Sequence, residues 1–197
     1  MRRFLFALSA VCAALIFGGC ADPVVMSEVL QQKQDQKIYT RYNLWYLNPE
    51  KISSLNIQEG TFLPIGSEVE AVGTGYNFIT GISTLTFRDR SGREYTIDFD
   101  PGYRLCSLRD FIAQTFTTEP PETMLKDIPA TSLERIKAGQ VVAGMNRREV
   151  MLAYGPPPSI RTPNLRNETW IYWINPTDTV RIVFRGDKVR NVLNINE

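Results

Sequence analysis

The sequence predicts an α+β protein: a small β-rich module, a barrel or a sandwich, followed by a unit with two short helices ahead of three antiparallel strands. Period-two alternation of apolar and polar residues recurs between Ile38 and Phe99, two helix-capping patterns follow Thr131, and turn-punctuated strands run from Thr169 to Ile195. At 43% hydrophobic and 22% charged, the 197-residue chain has the material for one or two small cores and is not disordered overall.

The chain starts with an address rather than a fold. Arg2-Arg3, the apolar run Phe4 to Phe17 and the small pair Gly18-Gly19 have the three-part layout of a secretory signal. The run, about 14 residues, is too short for an ordinary membrane span. Phe17-Gly18-Gly19-Cys20 resembles a lipobox, which implies a signal peptide over 1–19, lipid attachment at Cys20 and a membrane anchor through that lipid. Cleavage after Ala21 would instead discard Cys20. Ala21 rather than Asp after the cysteine fits sorting to the outer membrane, on its periplasmic side.

Residues 20–36 then read as a flexible tether with at most one loose helical turn, because Pro23 and the polar run Gln31 to Gln36 carry no aromatic residue. From Ile38 to Tyr46 alternate residues form one apolar face, so a strand is expected, opening a β-rich module over 37–102. Leu63-Pro64-Ile65-Gly66 leads into Glu68 to Val72. Leu85-Thr86-Phe87 turns at Ser91-Gly92 into Tyr95 to Phe99. Within 103–130, Leu105, Leu108, Phe111, Ile112 and Phe116 recur at helical spacing, which predicts a connecting helix and linker stopped by Pro120-Pro121.

The last unit, 131–197, has Thr131 and Glu134 at capping-box spacing with Gly139 ending a first helix, and Asn146 and Glu149 repeat the pattern for a second helix over Arg147 to Tyr154. Pro156-Pro157-Pro158 prevents continuation. Strands follow at Thr169 to Ile174, at Val180 to Phe184 and, after a Gly186-Asp187 turn, at Lys188 to Ile195.

Composition narrows the chemistry. Loss of Arg2 and Arg3 with residues 1–19 leaves 20 basic residues against 21 acidic, so no electrostatic footprint for nucleic acid exists. The chain has no histidine, the usual general base at neutral pH and the commonest metal ligand. No catalytic residue, metal site or cofactor is therefore expected. A thiol or carboxylate hydrolase would have to work through Cys106, flanked by Arg104 and Arg109, or through Asp98 and Asp100. The plainer expectation is a buried or surface thiol and a solvated face opposite Tyr95, Ile97 and Phe99. Gly73-Thr74-Gly75 lacks the further glycine of a phosphate cradle.

Gly144-Met145, Glu149-Val150, Leu152, Tyr154-Gly155-Pro156-Pro157, Trp170 and Tyr172 together resemble the SmpA/OmlA (BamE-like) family of outer-membrane lipoproteins. The resemblance covers about a third of the chain. It implies a two-layer ααβββ domain with both helices on one face of the sheet, and action by binding a protein. The whole layout also resembles bacterial lipoproteins in which an extra β-rich module precedes that unit. The expected partner is an envelope protein, including the β-barrel assembly machinery, in support of outer-membrane assembly or integrity. The alternative is a periplasmic module that binds cell wall or another ligand. Trp170 and Tyr172 are expected in the core, whereas Trp173 points to the other strand face and, with Arg161 and Arg166 of the long loop after Pro156, is a candidate partner contact.

Overall fold

The computed structural model describes residues 25–196. The expected signal peptide, Cys20 and the first residues of the tether lie outside the described residues. The architecture is mixed α+β, with a curled six-stranded half-barrel sheet in the N-terminal part, a few short helices, and a three-stranded antiparallel sheet in the C-terminal part.

The chain enters through a helical turn, α1 (Met26–Val29), inside the segment expected as tether. Met26 is 2% exposed, and Val29 and Leu30 pack against the first core, so α1 is docked while most of the polar run after it stays exposed. The apolar face expected from Ile38 to Tyr46 is buried at all five alternate positions. It is, however, two strands, β1 (Ile38–Thr40) and β2 (Leu44–Tyr46). The break has a hydrogen-bonding cause: the N–H of Arg41 donates to Thr115 O, and that of Asn43 to Leu152 O, on elements far along the chain.

The strands β3 (Ile52–Ser53), β4 (Thr61–Leu63), β5 (Glu68–Asn77), β6 (Ile82–Asp89) and β7 (Glu94–Phe99) follow. β2 and β4 form their own antiparallel pair. The expected barrel or sandwich is therefore an open half-barrel in the order β3-β7-β6-β5-β1-β8, where β8 is Phe116–Thr117. Its concave side is filled by α1 and by α3 (Leu108–Thr115), which brings Phe111 and Ile112 onto Phe87, Phe99 and Ile97. The expected connecting helix is split into α2 (Pro101–Arg104) and α3. Between them Leu105 turns left-handed (φ 51°) and is exposed, contrary to its expected place on a core face, because Ser107 and Asp110 form a capping box that starts a new helix.

After α4 (Pro121–Met124), the C-terminal part begins with α5 (Ala130–Lys137) and α6 (Arg147–Tyr154). The Thr131–Glu134 capping box does not form. Pro129 takes the N-cap position, so Thr131 is already inside the helix and its hydroxyl has no cap to make. The Asn146–Glu149 box does form, with both reciprocal bonds at 2.9 and 2.6 Å. The sheet comprises β9 (Thr169–Trp173), β10 (Asp178–Arg185) and β11 (Lys188–Asn196) in the order β11-β10-β9. Ile136, Val150 and Ala153 of the helices share one buried cluster with Trp170, Tyr172 and Ile182 of the sheet. Trp170 and Tyr172 are thus core residues, as their position in the strand alternation indicated.

Candidate interaction surface

The outer face of the C-terminal sheet follows from strand register. In antiparallel pairs, residues opposite one another stand on the same face. Trp173 faces Thr179, which faces Ile195; Ile171 faces Arg181, which faces Leu193. Trp170 and Tyr172 point inward to the helices, so Ile171 and Trp173 must point outward. Leu193 is exposed, while Ile171, Trp173 and Arg181 are half-buried.

The loop from Pro156 to Glu168 completes this surface and is built to lie along β9. Thr162, buried, accepts the N–H of Ile171 on Oγ1 at 3.0 Å, which closes part of the edge that β9 would otherwise leave open. Arg147 of α6 holds the same loop from beneath. Its guanidinium donates to Leu165 O and Asn167 O at 2.7 and 2.9 Å and lies 4.1 Å over the Phe184 ring. The covering of a sheet edge and the presentation of a contact residue are thus one device.

That device brings two of the three sequence-nominated residues together. Arg161 lies over the Trp173 ring, 5.1 Å from its centroid, a cation–π contact on a partly buried aromatic. Arg166 is exposed on the loop, its backbone N–H donating to Asn164 Oδ1, and no ring contact or hydrogen bond joins its side chain to the pair. Ile171, Arg181 and Leu193 were missed by sequence reading. The signal for them was the period-two pattern of β9, β10 and β11, but placing all three on one face with Trp173 requires the strand register.

The two halves of the chain meet at a second place of note. Asn43, fully buried, donates from Nδ2 to Ile136 O (2.7 Å) and Ala153 O (3.2 Å), and its Oδ1 accepts the N–H of Ile65 (2.9 Å). Asn56 donates to Asn43 O and Tyr154 O, and Arg104 donates to Ser54 O and Pro156 O. A cavity of about 350 Å³ opens beside this junction, bordered by Arg41, Gln114, Glu119 and Arg148. Each of the two arginines already donates to a backbone carbonyl, Phe116 O or Met124 O.

The nucleophile and carboxylate candidates sit in structural surroundings. Burial pushes the Cys106 thiol up; Arg104 pulls it down and Asp110 raises it again, so the net direction is opposite to that expected from the flanking arginines alone. A raised thiol has less thiolate at neutral pH. Iodoacetamide should therefore alkylate Cys106 several-fold more slowly at pH 7 than it alkylates free cysteine, a difference that narrows as pH rises. Rates against pH check this, and a faster-than-free rate would contradict it. Asp100 caps α2, accepting the N–H of Gly102 on Oδ1 at 2.8 Å. No cluster of three His, Cys, Asp or Glu residues suited to a metal ion occurs among the described residues, and no helix among them is long and apolar enough to cross a membrane.

Comparison with known proteins gives no match: no family model fits the chain, and no curated protein and no solved structure matches it.

Proposed function

We propose that this chain is an outer-membrane lipoprotein, anchored through Cys20 on the periplasmic side, that binds an envelope protein through the outer face of its C-terminal sheet. The observation that carries the reading is the Arg161–Trp173 stack on the sheet face that also carries Ile171, Arg181 and Leu193, since a partly exposed tryptophan covered by an arginine has the makeup of a binding hot spot. The SmpA/OmlA resemblance is a further ground for it; of the residues that carry the resemblance, Glu149, Val150 and Leu152 lie on α6, Gly155 at its C-cap, and Trp170 and Tyr172 on β9. On this reading the partner is a component of outer-membrane assembly or maintenance.

The test is in-cell crosslinking from a photoreactive residue at Leu193, with mass spectrometry of the captured partner and of the chain's own N-terminus. A β-barrel assembly component, together with acylated Cys20, is expected. Trp173→Ala should weaken capture by about 30-fold, the effect of losing one hot-spot aromatic, in a variant whose circular dichroism shows the fold retained. Undiminished capture in that variant, or no protein product at all, would remove this face from the mechanism.

A second reading, a ligand-binding or cell-wall module, is favoured by the junction cavity with its two guanidinium groups and one carboxylate. Retention of the wild-type protein on purified sacculi, lost in Arg148→Ala, would transfer the function there.

A further inference from the structure

The β5–β6 hairpin ends in a tip that ordinary folding does not explain. Phe78 is 85% exposed and Ile79 96%, where turns normally carry small polar residues. The tip is nonetheless ordered by its own bonds. Asn77 accepts the N–H groups of Ile79 and Thr80 on Oδ1, at 2.9 and 3.2 Å, and that of Gly81 on its backbone carbonyl, at 2.8 Å. Tyr76, also exposed, meets the Phe78 ring edge to face at 5.0 Å. This loop holds two large apolar side chains outward while three of its backbone donors are satisfied internally.

The surroundings specify what such a tip can enter. No charged residue occurs between Glu70 and Arg88, so the whole distal hairpin can approach a low-dielectric region without desolvating a charge. The largest exposed apolar side chains of the hairpin, Phe78 and Ile79, stand at its tip. Only the tip suits the acyl boundary, with Tyr76 at headgroup level, where aromatic residues with a polar end are favoured.

Chain length places a membrane within reach. Val25 and Met26 border the same hollow as Val72, Gly73 and Thr74 of β5, so the chain enters the fold at the base of the distal hairpin. Cys20 precedes Val25 by five residues, which span at most about 18 Å. From Thr74 to Phe78 the hairpin advances about 13 Å. A lipid on Cys20 therefore keeps Val25, at the base of the hairpin, within about 18 Å of the bilayer surface, a distance comparable to the advance of the hairpin.

We infer that the Tyr76–Phe78–Ile79 tip is a second membrane contact, a shallow wedge in the lipid interface that works with the Cys20 anchor to fix the orientation of the protein on the bilayer. The inference rests on the anchored reading for its geometry. With two points held, the C-terminal sheet face is presented at a set height and angle, whereas one acyl anchor alone would leave it free to tumble.

The test uses the full-length protein purified from membranes and reconstituted in phosphatidylethanolamine–phosphatidylglycerol vesicles, with an environment-sensitive fluorescent amino acid at Thr80 or, as control, at Gly92 in the turn after β6. Emission at Thr80 should be blue-shifted and about threefold brighter than at Gly92, and Phe78→Asp with Ile79→Asp should abolish the difference. The N-terminal peptide mass reads Cys20 in the same preparation. Acylated Cys20 with an aqueous Thr80 probe overturns the wedge and leaves the anchor standing. A blue-shifted probe with unmodified Cys20 overturns the anchor and leaves the wedge. An aqueous probe that crosslinks in cells to a protein assigns the tip to a protein partner instead.

Discussion

Replacing Asn43 with alanine is expected to lower the stability of the folded chain by about 3–5 kcal/mol, because the change strips hydrogen bonds from several groups that remain buried. The Ile65 N–H loses its side-chain acceptor, Ala153 O loses a donor near the end of α6, and Ile136 O keeps only its bond from the Gly139 N–H. Carbonyls in a helix's last turn have no intrahelical partner, so the Asn43 amide serves as a shared cap for two helices at once. Urea unfolding of the full chain measures the loss. A destabilisation below about 1 kcal/mol would mean that water or a shifted backbone replaces the amide, and that the junction is not pinned there.

Asn43→Asp makes the same argument with a sign. A carboxylate at this position would point one oxygen at Ile136 O and Ala153 O, where only a donor is tolerated. Burial and those carbonyl dipoles both favour the protonated acid, so the folded-state pKa lies above the unfolded one. The penalty is then small below the unfolded pKa and grows as pH rises towards the folded pKa. Asn43→Asp should be closer to wild type at about pH 4 than at neutrality, a recovery that Asn43→Ala cannot show.

The contrast between what was readable in the sequence and what was not follows the range of the interactions. The extent of α6, its capping box and its stop were legible because Asn146, Glu149, Gly155 and Pro156 act on their own neighbours. The three C-terminal strands were legible for the same reason. The split between β1 and β2 was not, since it depends on carbonyls of Thr115 and Leu152 more than seventy positions away. The long β5–β6 ribbon was hidden by Gly73, Gly75 and Asn77, which look like strand breakers, yet Gly73 sits at a bulge and Gly75 has Thr84 Oγ1 only 2.6 Å from where a Cβ would stand. Asn43 and Asn56 were unremarkable polar residues until their distant acceptors were in place. Of the surface candidates, Trp173 followed from strand parity alone, but its pairing with Arg161 required the loop to fold back across β9.

Gly155→Ala is expected to cost about 3–5 kcal/mol, and it tests whether the two halves of the chain are joined through backbone as well as side chains. Gly155 has φ 75° and ψ −178°, a region that essentially only glycine occupies. A Cβ there would also stand 2.7 Å from two ring carbons of Tyr42, which is buried and hydrogen-bonded to Thr115. The backbone has little freedom to yield. The Gly155 N–H donates to Met151 O at 2.8 Å, and its carbonyl accepts the Tyr172 hydroxyl at 3.0 Å. Gly186→Ala is the control, with φ 61° but open space around the added methyl, and should cost only about 1 kcal/mol. Combining Gly155→Ala with Tyr42→Ala separates the two contributions. If contact with the ring matters, the double variant will be more stable than the sum of the singles requires, by about 1–2 kcal/mol, and strict additivity would assign the whole effect to backbone strain. The glycine that ends α6 is then also the seat for an aromatic ring from the N-terminal part of the chain, so one residue serves both the helix stop and the junction.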